Sequence, residues 1–156
     1  GSYVSRIDWG LVEEAQFMRV TLEKAVTRLA CQGLSEEKLE VLEKNVKLQQ
    51  FYIDNNDIKE LLELDNEFHK ELFVLTNKVH IHRLMDNMIL HFDRLRTLRT
   101  KAVDQRYVVD DHVAILDAVR RRDPDKGERE MELHLTRHEI DKDILRNKYP
   151  QYFKEE

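Results

Sequence analysis

The sequence predicts an all-α fold, an antiparallel bundle of about six helices, and three observations carry that reading. Charged residues fill 37% of the 156 positions while Gly and Pro number only 4 and 2, a composition of long helices and short connections. Apolar residues recur at three- and four-residue spacing through successive segments. Caps and stop signals separate those segments by roughly two to six residues, a spacing that sets consecutive helices antiparallel.

Residues 1–7 read as an extended N-terminal segment, residues 8–150 as the helical domain and 151–156 as a C-terminal tail. Asp8 caps a first helix that runs to about Gln32, with a stripe of Val12, Ala15, Leu22, Val26 and Leu29 and a stop at Gly33. Arg19 falls inside that stripe, where it either snorkels to the surface or meets an anion facing inward. Ser35 with Glu36 and Glu37 starts the second helix, acids at the positive end of its dipole, and Leu39, Leu42, Val46 and Phe51 form its core face. Asn55-Asn56-Asp57 breaks the pattern and caps a third helix that ends near Asn77.

A long fourth helix is predicted from about Val79 to Arg106, with Ile81, Leu84, Met85, Met88, Phe92, Leu95 and Leu98 inward. His91 and Arg94 lie beside this stripe, Arg96 and Arg99 on a solvated basic face, and His80 and His82 on the exposed side of its start. The fifth helix begins near Asp110 with His112, Ile115, Leu116 and Val119 inward. Asp123-Pro124 supplies a cap and a first-turn proline for the last helix, whose inward face reads Met131, His134, Leu135, His138 and Leu145 before Pro150.

The third helix holds the pattern that composition does not explain. Within Leu61-Leu62-Glu63-Leu64-Asp65-Asn66-Glu67-Phe68-His69, the polar Asp65 and His69 interrupt the apolar stripe itself. Four residues apart, their side chains leave one face together. A carboxylate turned toward a core is costly unless a cation or donors neutralise it. The pair is either an internal Asp–His hydrogen bond or half of a metal site. His112 and His134 occupy inward positions on two other helices, with His138 one turn beyond as a competitor. Carboxylate and neutral imidazole suit zinc, nickel, manganese or iron, and bundles build such sites from facing helices, here around a central metal and ligand cavity.

Formal net charge is −5 with acids and bases interleaved, so no basic face tracks a nucleic-acid backbone. The single cysteine, Cys31, excludes an intrachain disulfide and suits a reducing compartment. No apolar run approaches the roughly 18 residues of a membrane span, so a cytoplasmic protein without membrane partners is expected.

Four motifs in order resemble the effector-binding domain of GntR-type bacterial transcription regulators, the FadR C-terminal-like (FCD) type. They are Arg19-x-x-Leu22-Glu23, Asp65-x-x-Phe68-His69 with Thr76-Asn77 after it, Asp111-His112-x-x-Ile115-Leu116-x-Ala118-Val119, and Met131-x-x-His134-Leu135. Lys78 and Gly127 depart from the proline and alanine usual at their positions. The resemblance implies a divalent transition metal held by Asp65, His69, His112 and His134, zinc first, with nickel, manganese or iron as alternatives. It implies a small carboxylate effector, for which Arg19, His91 and Arg94 are the candidate contacts. It also implies a homodimer that meets operator DNA through an N-terminal winged-helix domain, whose last residues Gly1-Ser2-Tyr3-Val4-Ser5 resemble. The function expected is effector sensing rather than catalysis.

The rival from another class is a helical-bundle metalloenzyme acting on a small carboxylate. The paired Glu-x-x-His motifs of di-metal bundles are missing, and His138-Glu139 continues as Ile140-Asp141-Lys142, not as a zinc-protease helix. A metal-free interaction module with a buried polar network is the third reading.

Overall fold

The computed structural model describes residues 6–88, 90–102 and 104–154, without the side chains of 90–92 and 138–141. Among these residues lie seven α-helices and no strand: α1 (Trp9–Cys31), α2 (Glu36–Asp54), α3 (Ile58–Leu75), α4 (Val79–Asp86), α5 (Leu90–Ala102), α6 (Arg106–Arg120) and α7 (Pro124–Lys148). A short 3-10 turn, Pro150–Tyr152, follows. No helix among the described residues is long and apolar enough to cross a membrane.

The caps form where the sequence places them. Asp8 accepts from the Leu11 amide, Asp57 from Glu60 and Asp123 from Lys126, each satisfying one of the donors a helix start leaves open. Ser35 precedes α2 but makes no side-chain cap bond. Gly33, at φ 138°, turns the chain out of α1 in a conformation that disfavours any side chain.

α1 packs along α7, α2 along α3, and α6 against both α7 and α2. The core they enclose includes Val12, Leu42, Phe68, Leu72, Ile115 and Met131, all fully buried. The two ends of the helical domain meet beside it. Ile7 donates to the Tyr152 carbonyl at 2.7 Å and accepts from the Lys154 amide at 3.0 Å, and both Ile7 and Phe153 are buried. Phe153 of the C-terminal tail is thus packed against Ile7 at the start of the domain.

Three expectations change. The predicted fourth helix is two, α4 and α5, and α6 starts at Arg106, ahead of Asp110. Asp86 and Asn87, at the break, are weak helix formers whose side chains compete for backbone groups. The break lets α4 rest on α3 while α5 turns to α1 and α7. Several stripe residues point outward: Leu29, Phe51, Leu84 and Met88 are exposed and Leu22 only half-buried. On α2 the register of buried positions runs through Leu42, Val46, Gln49 and Ile53, which puts Phe51 outside, edge-on to Tyr52. His82, expected on the exposed side, is buried against Phe73. The side chains of Phe92 and His138 lie outside the described residues.

Gly127 on α7 sits close against α1. A Cβ there would stand 2.7 Å from Cys31 Sγ and 3.2 Å from Thr27 Cγ2, inside normal contact distance. Gly127→Ala should therefore destabilise the domain by about 1–2 kcal/mol, overpacking outweighing alanine's better helix propensity. Cys31→Ala opens the space, and a double-mutant cycle by urea denaturation should give a favourable coupling of about 1 kcal/mol or more. Zero coupling would place the strain elsewhere.

Candidate metal centre

The four inward polar residues come together. Asp65 and His69 leave α3 side by side, His112 enters from α6 and His134 from α7, and all four are buried, His112 completely. One ligand atom from each lies within 4.8 Å of every other. His134 Nε2 stands 3.1 Å from both His69 Nε2 and His112 Nε2. Asp65 Oδ1 is 3.3 Å from His112 Nε2 and 3.7 Å from His69 Nε2. Atoms bound side by side to a single ion at about 2.0–2.2 Å stand roughly 3.0–3.5 Å apart, a spacing that the contacts of His134 with His69 and His112 and of Asp65 with His112 match.

What aims the three rings is a set of acceptors behind them. Glu23 Oε2 on α1 takes the Nδ1 side of His69, Gln49 Oε1 on α2 that of His112 at 2.7 Å, and Asp111 Oδ2 on α6 that of His134 at 3.2 Å. An acceptor at Nδ1 assigns the hydrogen to that nitrogen and leaves the Nε2 lone pair facing the centre. A second proton on His69 would let its Nε2–H donate to His134. The His112 lone pair would then still face His134 with no hydrogen between them. A cation at the centre satisfies all three nitrogens and Asp65 at once. Carboxylate with three imidazoles is the donor set of zinc, nickel, manganese or iron.

Each carboxylate around the centre faces an arginine. Arg96 from α5 binds Asp65 Oδ2 and Asn66, Arg19 Nε donates to Glu23 Oε1 at 2.7 Å, and Arg137 holds Asp111 through two bonds of 2.7 and 2.8 Å. Burial would raise the Asp65 carboxyl, but Arg96, with His69 and His112 beside it, holds it well below the usual carboxylate range. The same opposition holds Glu23 at about 2, with Arg19 and His69 outweighing burial. Burial, reinforced by His134, pushes His112 well below its ordinary value, and burial lowers His134 despite Asp111. Burial is overcome at His69, which Glu23 and Asp65 raise.

Arg19 is therefore buried and ion-paired, not snorkelling, and it lines the site together with His69 and Arg96. Two cavities meet there, an inner one of about 40 Å³ and a cleft of about 490 Å³ toward α4 and α5. Arg94 is half-buried on α5 and lines neither, while the His91 side chain lies outside the described residues. Glu23 and Asp111 entered the sequence reading only as motif residues without a role, Arg96 only as part of a solvated face, and Gln49 not at all. A polar residue on a buried register was the available signal at Glu23 and Gln49, and the helix break hid the facing of Arg96.

The family model described as FCD domain matches residues 14–137. Over 159 aligned residues the chain is 30% identical to the HTH-type transcriptional repressor RspR of Escherichia coli (strain K12), covering 100% of this chain and 69% of that protein. The HTH-type transcriptional regulator YdfH of Shigella flexneri matches with the same identity and coverage.

The orienting bonds are testable without any metal. Gln49→Leu keeps the volume but leaves the His112 Nδ1–H without an acceptor, and should cost metal-free protein about 1–3 kcal/mol in chemical denaturation. A neutral result would show that His112 carries its hydrogen on the other nitrogen.

Proposed function

We propose that this chain, which belongs to the FCD domain family of GntR-type transcription regulators, senses a small carboxylate at a divalent metal held by Asp65, His69, His112 and His134. Regulator rather than enzyme is the class its family and relatives establish. The observation that carries the finer reading is the convergence of three Nε2 lone pairs and one carboxylate oxygen, each backed by its own partner. The bound metal supplies a Lewis-acidic attachment point for a carboxylate. Around it, Glu23, Gln49 and Asp111 hold the imidazoles in register, and Arg96 occupies the outer oxygen of Asp65 so that Oδ1 faces the centre. Arg19 and Arg96 present cationic surface to the cleft where the effector's anionic group enters. Residues 8–150 form the sensing unit, and operator DNA is met through a winged-helix domain preceding residue 1, in a homodimer whose arrangement the effector biases.

Metal analysis of protein purified without chelator should find about one transition-metal ion per chain, zinc foremost. His112→Ala and His134→Ala should each lower occupancy sharply, since each removes a ligand from a separate helix; full occupancy in both would overturn the assignment. Chelation should lower the melting temperature by several degrees, because an ion that binds only folded protein stabilises it by about 4 kcal/mol at a thousandfold excess over Kd.

Ion and proton compete for His69. Its imidazole is raised above the ordinary value, Glu23 and Asp65 outweighing burial, so the ion must displace a proton that these carboxylates favour and affinity falls on acidification. Titration calorimetry in buffers of different ionisation enthalpy reads that proton directly. Affinity that does not fall on acidification would contradict this competition.

A further inference from the structure

The three arginines that face the carboxylates around the candidate ligands are not equally fixed. Arg19, against Glu23, leaves 5% of its side chain exposed and Arg96, against Asp65, leaves 14%, whereas Arg137, against Asp111, leaves 32%. A long side chain this far into water has other rotamers open to it, so burial alone does not hold it in place. Arg137 nevertheless sends two bonds, of 2.7 and 2.8 Å, to the two oxygens of the buried Asp111. Such a fork forms only while the guanidinium keeps one plane.

Tyr107 lies against that guanidinium. It stands in the first turn of α6, one turn before Asp111, so the two side chains leave one face of the helix together. The guanidinium carbon of Arg137 is 5.3 Å from the centre of the Tyr107 ring, within cation–π range. The ring is itself held from α5: Arg99 donates to the Tyr107 hydroxyl, and its guanidinium carbon is 5.5 Å from the ring centre. Gln105 Nε2 in turn donates to the Arg99 carbonyl at 3.4 Å. From Tyr107 the contacts run to Arg137, from Arg137 to Asp111, and from Asp111 Oδ2 to Nδ1 of His134 at 3.2 Å. Tyr107 is not one of the four candidate ligands, and the metal centre as described so far gives it no task.

We propose that Tyr107 is a positioning residue of the metal centre: its ring seats the Arg137 guanidinium, which holds the Asp111 carboxylate in the orientation that turns His134 Nε2 toward the other candidate ligands. The inference rests on the metal-binding reading above and adds to it a residue that acts on the ion only through others. Asp111 alone does not fix the imidazole, because a carboxylate that rotates about its Cβ–Cγ bond offers His134 an acceptor in more than one plane. Held at both oxygens, it offers one. An aromatic ring suits this task because its flat, electron-rich face orients a guanidinium and an aliphatic side chain of similar bulk does not.

The test combines zinc affinity, from competition with a chelating dye, with proton NMR of cobalt-loaded protein. In the unaltered chain the hydrogens on Nδ1 of His69, His112 and His134 should give three exchangeable resonances shifted far downfield by the cobalt. Tyr107→Leu should weaken zinc about tenfold or more and broaden one of the three through faster exchange with water, leaving the other two in place. Tyr107→Met takes its place if the leucine variant does not fold. Tyr107→Phe, which keeps the ring, should recover most of the lost affinity. Arg137→Lys, which keeps the charge but neither the fork nor the flat face, should reproduce both effects. Tyr107→Leu added to Arg137→Lys should then cost less than about a further twofold, because the ring acts only through the guanidinium. Zinc affinity unchanged in Tyr107→Leu, a loss as large in Tyr107→Phe, three unaltered resonances, or losses that add in the double variant would each overturn the inference and leave the four-residue site standing. If the unaltered chain binds neither zinc nor cobalt, the metal reading itself fails and this inference with it.

Discussion

The Nδ1 contacts behind His69, His112 and His134 are the constraint on which the rest of this structure depends. Each joins a ring on one helix to an acceptor on another or, for His134, on the neighbouring α6, so the three rings tie together α1 with α3, α2 with α6, and α6 with α7. A buried imidazole with one nitrogen satisfied is tolerable, but three whose remaining lone pairs face one another are not a natural resting state for a core. That arrangement makes sense as a preorganised donor set, in which the orientation is fixed before any ion arrives. Hydrogen bonds that merely connected helices would be expected to pair donors with acceptors throughout.

Charge pairing makes such a centre compatible with folding. Asp65, Glu23 and Asp111 each face one guanidinium, from Arg96, Arg19 and Arg137 respectively. Unpaired, any of these buried carboxylates would be strongly destabilising, and pairing turns a prohibitive desolvation cost into a modest one. The arginines reach inward from α5, α1 and α7, and the elements that bring them are those that the core already packs together. Apolar packing and polar satisfaction thus specify the same arrangement, which is the consistency a unique native state requires.

Much of this was legible along the chain, for a physical reason. Asp65, His69, His112 and His134 stand on buried registers, so helical periodicity alone singled them out, and Asp8, Asp57 and Asp123 announced helix starts through ordinary cap chemistry. The supporting residues were less visible because their meaning depends on a partner from a different helix. Gln49 on α2 looks like a polar interruption until His112 is placed opposite it. Arg96 and His82 were misread for another reason: one continuous helix from Val79 to Arg106 gives the wrong facing on both sides of the break at Asn87. Periodicity extrapolates phase, and a turn of a few residues resets it.

The break also gives the site its access. A single straight helix would have to follow one direction, whereas α4 stays on α3 and α5 crosses to α1 and α7. The cleft is lined from both sides of that division, by His82, Met85 and Asp86 of α4 and by Asp93 and Arg96 of α5. Its floor is the α3 face that carries His69 and Asn66. A molecule in the cleft therefore touches elements that no continuous backbone helix holds rigidly together. Differential contact with two arrangements is the only way a ligand shifts a conformational equilibrium, and separately seated helices are where such arrangements can differ. At the opposite end, α7 runs from His134 to Lys148, and the 3-10 turn after it leads into the clasp in which Phe153 and Ile7 pair. The candidate ligands, the cleft and the Ile7–Phe153 clasp thus border one packed core.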